Sequence, residues 1–216
     1  MLANNVLFID GEALVIDKPA GLPVDKPRDG SLSLENYLAG LTFGFRRWPM
    51  AVHRLDRDTS GCLLLSRNPK AHARLQQAFE AGTVSKRYLA VLDGVPGEEQ
   101  GMIDSPLTKI SDAATGWRMK LHPKGKPART GWRVLAVKDG RAFVEFIPET
   151  GRTHQIRVHA AEVLGAPVVG DPVYGKGGGM TLLHARSLIV PREGKDPVTA
   201  EAPLPARFID AGFDDG

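Results

Sequence analysis

The chain has 216 residues, of which 42% are hydrophobic and 25% are charged, and its formal net charge is +3. These values are ordinary for a globular domain, and they exclude a membrane-spanning helix because no apolar run approaches roughly 18 residues. The single cysteine, Cys62, excludes an internal disulfide and fits a reducing cytoplasm, which is the expected location.

The N-terminal half of the chain predicts short strands and a longer helix. In chain order the predicted elements are a hairpin of residues 6–9 and 13–16, a short helix at 33–38, a buried strand at 61–65 and a helix at 70–81. Asp10-Gly11 is typical of a tight type I′ turn between the first strands. Gly40 is expected to end the short helix, and Gly82 the longer one.

The C-terminal half predicts more strands and one further helix. These elements are a strand at 88–92, a hairpin of 134–137 and 142–146, a helix capped by Thr153 that runs to Gly165, and strands at 182–183 and 188–190. Short hairpins favour antiparallel pairing, so the predicted fold class is α+β around a mostly antiparallel sheet. We expect one domain over 1–216, with an ordered core over about residues 5–208 and a short flexible tail.

One stretch of the chain concentrates positive charge. Between Asp112 and Asp139 there is no acidic residue, and Trp117 and Trp132 are interleaved with basic side chains. These basic residues are Arg118, Lys120, Lys124, Lys126, Arg129, Arg133 and Lys138. Basic side chains with aromatic plates suit a phosphate backbone with exposed bases, although a solvated loop beside a hairpin would have the same pattern.

Several other chemistries match the sequence poorly. Residues 170–176 have the glycine and lysine spacing of a phosphate loop, but Gly177 replaces the magnesium-binding Ser or Thr. His154 and His159 lie about 140° apart on a helix, so no metal site is predicted. Asp56 and Asp58 could pair as in a glycosidase, although a turn role for Asp58 fits better.

The stretch HRLDRDTSGCLLLS, which begins at His53, closely resembles the signature of the RluA family of RNA pseudouridine synthases. The similarity extends in order over nearly the whole chain. Its further motifs are KPAG at 18–21, KRY at 86–88, TGRTHQIRVH at 150–159, GDPVYG at 170–175 and LHA at 183–185. The phosphate-like loop is then explained as a loop of this fold.

The resemblance implies a pseudouridine synthase catalytic fold with an active-site cleft across the sheet. It implies isomerisation of specific uridines in structured RNA, either tRNA or large-subunit ribosomal RNA or both, with base flipping and no cofactor. Asp56 matches the catalytic aspartate, which acts as nucleophile or as base. A surface ion pair is the plain alternative for this residue.

Two more catalytic residues follow from the same match. Arg157 is implied as the partner that keeps the Asp56 carboxylate ionised, with Arg152 as a competitor for the role. Tyr88 is implied to lie on the uracil face, and a tyrosine packed in the core is its alternative.

The remaining candidate residues are RNA contacts. Arg54 is similar to the family's arginine that fills the space left by the flipped nucleotide, and a salt bridge to Asp58 is its alternative. Lys18 holds either the sheet end or a phosphate. The other RNA contacts are expected to be Arg87, Arg152, His154, Lys124 and Lys126. The first hairpin begins at Val6, so we expect no accessory RNA-binding domain before it. We also expect the protein to be a monomer.

Three functions from different classes therefore remain at this point. The first is a pseudouridine synthase, and the second is a non-catalytic RNA-binding or RNA-remodelling protein on the same scaffold. The third is a hydrolase that cleaves the glycosidic bond and releases the base, which measurement of free uracil would distinguish.

Overall fold

A computed structural model describes residues 2–112 and 116–214 of the chain. The chain divides into two compact units. Unit 1 comprises the residues up to 86 together with 185–203, and unit 2 comprises 87–184 together with the residues after 203. The single domain expected over 1–216 stays a prediction.

The described elements are strands and short helices. The strands are β1 (Val6–Ile9), β2 (Ala13–Lys18), β3 (Met50–Ala51), β4 (Ser60–Ser66), β5 (Ser85–Leu92), β6 (Gln100–Asp104), β7 (Leu107–Asp112), β8 (Gly116–Leu121), β9 (Arg129–Lys138), β10 (Arg141–Pro148), β11 (Leu183–Arg192) and β12 (Lys195–Glu201). The helices are α1 (Pro69–Glu80), α2 (Gln155–Val158) and α3 (Ala206–Asp210), with 3-10 helices at Leu2–Asn5 and Leu34–Leu41 and a π-helix at His159–Val163. The predicted α+β class with a mostly antiparallel sheet is confirmed.

Unit 1 is built around β4, in which every residue is buried. Strands β2 and β3 both pair antiparallel with it, and β1 and β12 extend the sheet through β2 and β11. Helix α1 packs on this sheet, because Ala71 and Leu75 share a hydrophobic cluster with Leu64. The Asn68 side chain caps α1 by accepting the Ala71 N–H.

Two residues at the start of β4 are closely constrained. Gly61 has φ +105°, and a Cβ atom there would lie 2.2 Å from the carbonyl oxygen of Ala185, so this position requires glycine. The Cys62 thiol points into the cluster and donates to the carbonyls of Arg186 and Ala200. Burial, the largest cause, raises the pKa of Cys62 to about 12.

Unit 2 contains the antiparallel strands β5, β10, β9 and β6 in that order, with β7 and β8 forming a separate hairpin. Strand β10 is the centre of its core, since Ala142 through Phe146 are all buried. Trp132 is 8% exposed and belongs to the same cluster as Phe146. The sequence pattern suggested that Trp132 is an exposed aromatic plate, but its ring is buried in the core of unit 2.

The ends of two predicted helices differ from expectation. The short helix continues through Gly40 to Leu41, because both of its ends bury a leucine and packing outweighs the low helix propensity of glycine. The helix expected after Thr153 begins instead after His154, whose φ of 54° is left-handed. It continues as the π-helix His159–Val163.

The last described residues are packed into unit 2. Phe208 of α3 is fully buried, and Phe213 is 4% exposed and stacks on Phe143 at 5.7 Å between ring centroids. The packed chain therefore extends beyond residue 208, where the sequence placed the end of the ordered core. Among the described residues, no helix has both the length and the apolar character to cross a membrane.

Candidate active site

In unit 1 the loop of residues 53–61 is tied to the segment that follows β2. The Arg57 carbonyl accepts the Gly21 N–H at 2.9 Å and the Lys18 ammonium at 3.0 Å. Lys18 is fully buried, and it also donates to the carbonyls of Pro19 at 2.9 Å and Leu22 at 2.8 Å. Of the two roles left open for Lys18, the structure favours the one at the sheet end.

Asp56 lies on the turn that this tie holds in place. The Thr59 N–H donates to the Asp56 carbonyl at 3.1 Å, and Leu55 and Thr59 are buried on either side. The Asp56 residue itself is half-buried. The turn of Asp56 therefore directly precedes β4, where the chain enters the core.

A cavity of about 500 Å³ adjoins the same segment of unit 1. It is lined by Leu2, Asn5, Pro19, Ala20, Gly21, Leu22, Leu32 and Tyr37. Because Gly21 is bonded to Arg57, one wall of the cavity is continuous with the loop that holds Asp56.

Arg54 is exposed beside Asp56 in the chain. Its guanidinium pairs with Asp25 at 2.8 Å, and both side chains are about two-thirds exposed. The alternative from the sequence was a salt bridge from Arg54 to Asp58, but Asp58 instead lies 3.6 Å from the Arg57 guanidinium. An exposed pair of this kind contributes little to stability, so Arg54 can exchange Asp25 for another anion.

His53 opens the motif as a neutral acceptor. Its Nε2 accepts the Leu64 N–H at 3.0 Å, and its ring stacks on Phe79 with centroids 4.6 Å apart. Burial and then the nearby charge of Lys86 lower the pKa of His53 to about 3. Burial also lowers the pKa of Lys86 to about 8.

In unit 2 the guanidinium of Arg157 is bound by a buried carboxylate. Arg157 donates from Nε and Nη2 to the two oxygens of Asp171, at 2.7 and 2.8 Å. Burial opposes the charge of Asp171, but the Arg157 guanidinium and the amides of Val173 and Tyr174 outweigh it and lower the pKa of this carboxyl. The pair fixes the orientation of Arg157 on α2.

Tyr174 connects Arg157 to the β7–β8 hairpin. The Arg157 guanidinium carbon lies 5.2 Å from the Tyr174 ring centroid, and the Tyr174 hydroxyl accepts the Met119 N–H at 2.9 Å. The same hydroxyl shares a hydrogen bond of 2.9 Å with Nδ1 of His154. His154 in turn stacks on the exposed ring of Trp117 at 5.1 Å. The structure thus brings the predicted residues Arg157 and His154 to one tyrosine.

The buried side chain of Gln155 shapes the loop before α2. Its Oε1 accepts the Thr150 hydroxyl at 2.8 Å and the Arg152 N–H at 2.9 Å, and its Nε2 donates to Thr130 Oγ1 at 2.9 Å. Arg152 is exposed, and its Nε donates to the Pro127 carbonyl. Its guanidinium is therefore directed to the loop that joins β8 to β9.

The other predicted residues of unit 2 lie on β5 and on that same loop. Tyr88 is half-buried, opposite Phe146, and packs against the hydrophobic cluster of unit 2. Arg87 is paired with the buried carboxylate of Glu145. Lys124 and Lys126 are exposed, as a phosphate contact requires.

Sequence reasoning treated GDPVYG as a landmark and assigned no role to Asp171 or Tyr174. A local signal existed for part of the role of Asp171, because aspartate in a turn commonly accepts nearby backbone amides, as it does here from Val173 and Tyr174. Within residues 2–112 and 116–214, no cluster of His, Cys, Asp and Glu side chains is arranged to hold a metal ion.

Replacing Asp171 tests the buried ion pair. We expect Asp171→Asn to lower the free energy of unfolding by about 3 kcal/mol or more, because it leaves the Arg157 charge buried without its carboxylate. Asp93→Asn is the matched control, since Asp93 pairs with the exposed Lys176 and should cost less than about 1 kcal/mol. Urea unfolding measures both, and equal losses in the two variants would contradict this account.

The pKa of His53 predicts how stability depends on pH. Since the folded pKa of about 3 is below the unfolded value of 6.5, the contribution is complete above pH 6.5 and is lost as the pH falls towards 3. We expect His53→Gln, which keeps an acceptor for the Leu64 N–H, to reduce the fall of the unfolding free energy over this range. The exposed His122→Gln is the control, and an unchanged slope in His53→Gln would refute the prediction.

Comparison with known proteins agrees with this architecture. A family model described as RNA pseudouridylate synthase matches residues 12–162. An uncharacterized RNA pseudouridine synthase of Zymomonas mobilis is 61% identical over 99% of both chains. Ribosomal large subunit pseudouridine synthase D of the same organism is 36% identical over 71% of this chain and 50% of its own length.

Solved structures show the same relationship. The structure of human RNA pseudouridylate synthase domain containing 4 superimposes with a TM-score of 0.81 at 27% identity, covering 96% of this chain and 91% of that one. Human RNA pseudouridylate synthase domain containing 1 gives a TM-score of 0.79 at 28% identity, covering 92% and 82%. The chain therefore belongs to the RluA-type family of RNA pseudouridine synthases, isomerases that act on uridine in RNA.

Proposed function

We propose that this enzyme isomerises specific uridines in structured RNA, in tRNA or large-subunit ribosomal RNA, and that Asp56 is its catalytic carboxylate. The observation that carries the proposal is the turn of Asp56, which the Lys18 ammonium and the Gly21 amide hold through the Arg57 carbonyl. A carboxylate on so constrained a turn is pre-positioned for chemistry. No cofactor takes part in the proposed reaction.

The reaction exchanges one bond to the sugar for another. The bond between N1 of uracil and C1′ of the ribose breaks, the base turns, and a bond forms between C5 and C1′. The proton on C5 is lost and N1 gains one, so atoms and charge balance. Asp56 serves this exchange either as a nucleophile or as a base toward a sugar proton.

The enzyme reaches C1′ by flipping the uridine out of its stack, at a cost of a few kcal/mol. Arg54 supports this step, because its guanidinium is about two-thirds exposed and its partner Asp25 is equally exposed. Tyr88 contributes an aromatic face for the uracil. Arg157 contributes the positive charge that favours an ionised carboxylate, and Asp171 and Tyr174 orient its guanidinium.

The name of one relative bears on the RNA target. Pseudouridine synthase D of Zymomonas mobilis is named for the ribosomal large subunit, which favours large-subunit ribosomal RNA as a substrate here. The exposed Lys124 and Lys126 and the exposed guanidinium of Arg152 supply phosphate contacts in either RNA. A non-catalytic RNA-remodelling protein would share these contacts but would have no need of Asp56.

Mapping pseudouridine across total RNA tests the proposed reaction. We expect cells that lack the protein to lose pseudouridine at defined positions, and Asp56→Asn to restore none of them because the amide cannot act as nucleophile or base. Asp58→Asn is the matched control, since Asp58 is on the same loop and pairs loosely with Arg57, and it should restore every position.

Three outcomes would contradict the proposal. If no position responds to loss of the protein, or if Asp56→Asn restores them all, the carboxylate is not catalytic. If purified enzyme releases free uracil from RNA instead of conserving its mass, the chain is a hydrolase.

The salt dependence of binding tests the basic loop between β8 and β9. We expect Lys124→Ala/Lys126→Ala to weaken RNA binding and to reduce the slope of log K against log salt by about 1.5, because two phosphate contacts are lost. Lys70→Ala, which removes an exposed charge from α1, should leave the slope unchanged. Filter binding at several salt concentrations measures the slopes, and an unaltered slope in the double variant would remove this contact from the RNA interface.

A further inference from the structure

A loop of unit 1 exposes aromatic side chains in a way that packing does not explain. This loop, residues 42–49, is named here the aromatic loop, and it contains the sequence FGFRRW. Its exposed fractions are 43% for Phe43, 37% for Phe45 and 59% for Trp48. Large aromatic side chains are normally the first to be buried, so three exposed together indicate a surface that binds.

The aromatic loop and the sequence on either side of it carry charge of one sign. Residues 36–55 contain no Asp or Glu, whereas Arg46 and Arg47 are both exposed on the loop and Arg54 follows it. This charge favours a polyanion over an apolar protein surface. Aromatic rings beside arginine are the combination that binds single-stranded RNA, because bases stack on the rings and phosphates pair with the guanidinium groups.

The aromatic loop is held in place by contacts with the buried side chain of Arg67. The buried Arg67 donates to the carbonyls of Thr42 at 3.1 Å and Phe43 at 3.0 Å. Its guanidinium carbon lies 3.8 Å from the centroid of the Phe45 ring. Pro49 is buried where the loop joins β3, which pairs with β4. The exposed rings are therefore pre-organised, which lowers the entropy cost of binding.

The backbone at Phe43 is strained, although its side chain is only partly buried. Phe43 has φ 43° and Gly44 has φ 87°, so an aromatic residue occupies the left-handed region that glycine and asparagine tolerate best. The Phe43 side chain is only partly buried, and the hydrogen bond from Arg67 to the Phe43 carbonyl helps to hold the strained backbone. Strain of this kind concentrates at functional surfaces.

We propose that the aromatic loop binds unpaired nucleotides of the RNA substrate. Bases stack on Trp48 and Phe43, and Arg46 and Arg47 pair with the phosphates that join them. The inference rests on the proposed function, because the RNA that it binds is the substrate. Unpaired nucleotides are the class recognised, since only bases outside a duplex present a face to a ring. The loop leads through β3 to the residues of the Asp56 turn, all within unit 1.

Binding of a fluorescein-labelled oligouridine, measured by anisotropy, tests the aromatic loop. We expect Trp48→Ala to weaken binding by about tenfold or more, since one stacked base is lost. Phe43→Asn should weaken it similarly without loss of stability, because asparagine tolerates the left-handed backbone. Arg46→Ala/Arg47→Ala should weaken binding and flatten its salt dependence.

The controls are matched in exposure and charge. Ile209→Ala removes an apolar side chain that is 58% exposed, and Arg141→Ala removes an exposed arginine of β10. Both should bind oligouridine as the unchanged protein does. An RNA duplex of the same length should bind equally to Trp48→Ala and to the unchanged protein, because its bases offer no face for stacking.

Three results would overturn the proposal. The first is an affinity for oligouridine that neither Trp48→Ala nor Phe43→Asn alters, and the second is no binding of oligouridine by the unchanged protein. The third is self-association, seen by sedimentation, that Trp48→Ala abolishes without any change in RNA affinity, which would make the loop a protein interface. Oligouridine binding is measured without turnover, so it is independent of the proposed reaction. If the protein forms no pseudouridine but Trp48→Ala still weakens oligouridine binding, the proposed reaction is wrong and the binding surface stands.

Discussion

The position of Asp56 depends on one buried ammonium group. Lys18 is fully buried, and it donates to the carbonyls of Pro19, Leu22 and Arg57. Removing such a charge from water costs several kcal/mol, so it is tolerated only where its donors are satisfied. Because the carbonyls belong to separate segments, this one cation joins the end of β2 to the loop of residues 53–61. The constraint on the turn therefore comes from a residue for which the sequence left two roles open, the sheet end or a phosphate contact.

The buried ion pair of unit 2 follows the same logic with the opposite arrangement. Asp171 is a buried anion, and its partner Arg157 belongs to a motif that the sequence had already marked. Tyr174, three residues after Asp171, packs its ring on that arginine and binds Met119 and His154 through its hydroxyl. The loop of residues 170–176, which has the spacing of a phosphate-binding loop, therefore binds the guanidinium of Arg157. Its glycines accommodate the tight backbone, as at Gly170, where a Cβ would lie 2.3 Å from the Met180 carbonyl oxygen.

Local pattern predicted those elements whose neighbours are close in sequence. Helix α1 follows from its cap and its proline, and strand β4 from its apolar run. The conformation of the two Asp-Gly turns did not follow from the dipeptide alone. Asp139-Gly140 has φ of 51° and 74°, as a type I′ turn requires. Gly11 after Asp10 lacks a positive φ, because the Asp10 carboxylate accepts the amides of Glu12 and Ala13 and selects another turn. The same dipeptide thus gave two turns, and only the side-chain contacts distinguish them.

Long-range contacts explain what the sequence could not provide. The role of Asp171 depends on an arginine 14 residues away in the chain, and that of Lys18 on a carbonyl 39 residues away. Neither contact leaves a local signature. The exposed rings of the aromatic loop were equally invisible, since Phe and Trp in sequence usually predict core. Trp132 and Trp117 illustrate the difference, because a similar basic context contains one buried ring and one exposed ring.

The buried thiol of Cys62 has a practical consequence for handling the enzyme. Burial raises its pKa to about 12, so almost no thiolate exists near neutral pH, and alkylating reagents and oxidants react with thiolate. The chain contains no second cysteine to react in its place. Capture of this sulfur by iodoacetamide would therefore report the opening of β4 from its neighbours, and its rate would follow the breathing of the sheet that carries the turn of Asp56.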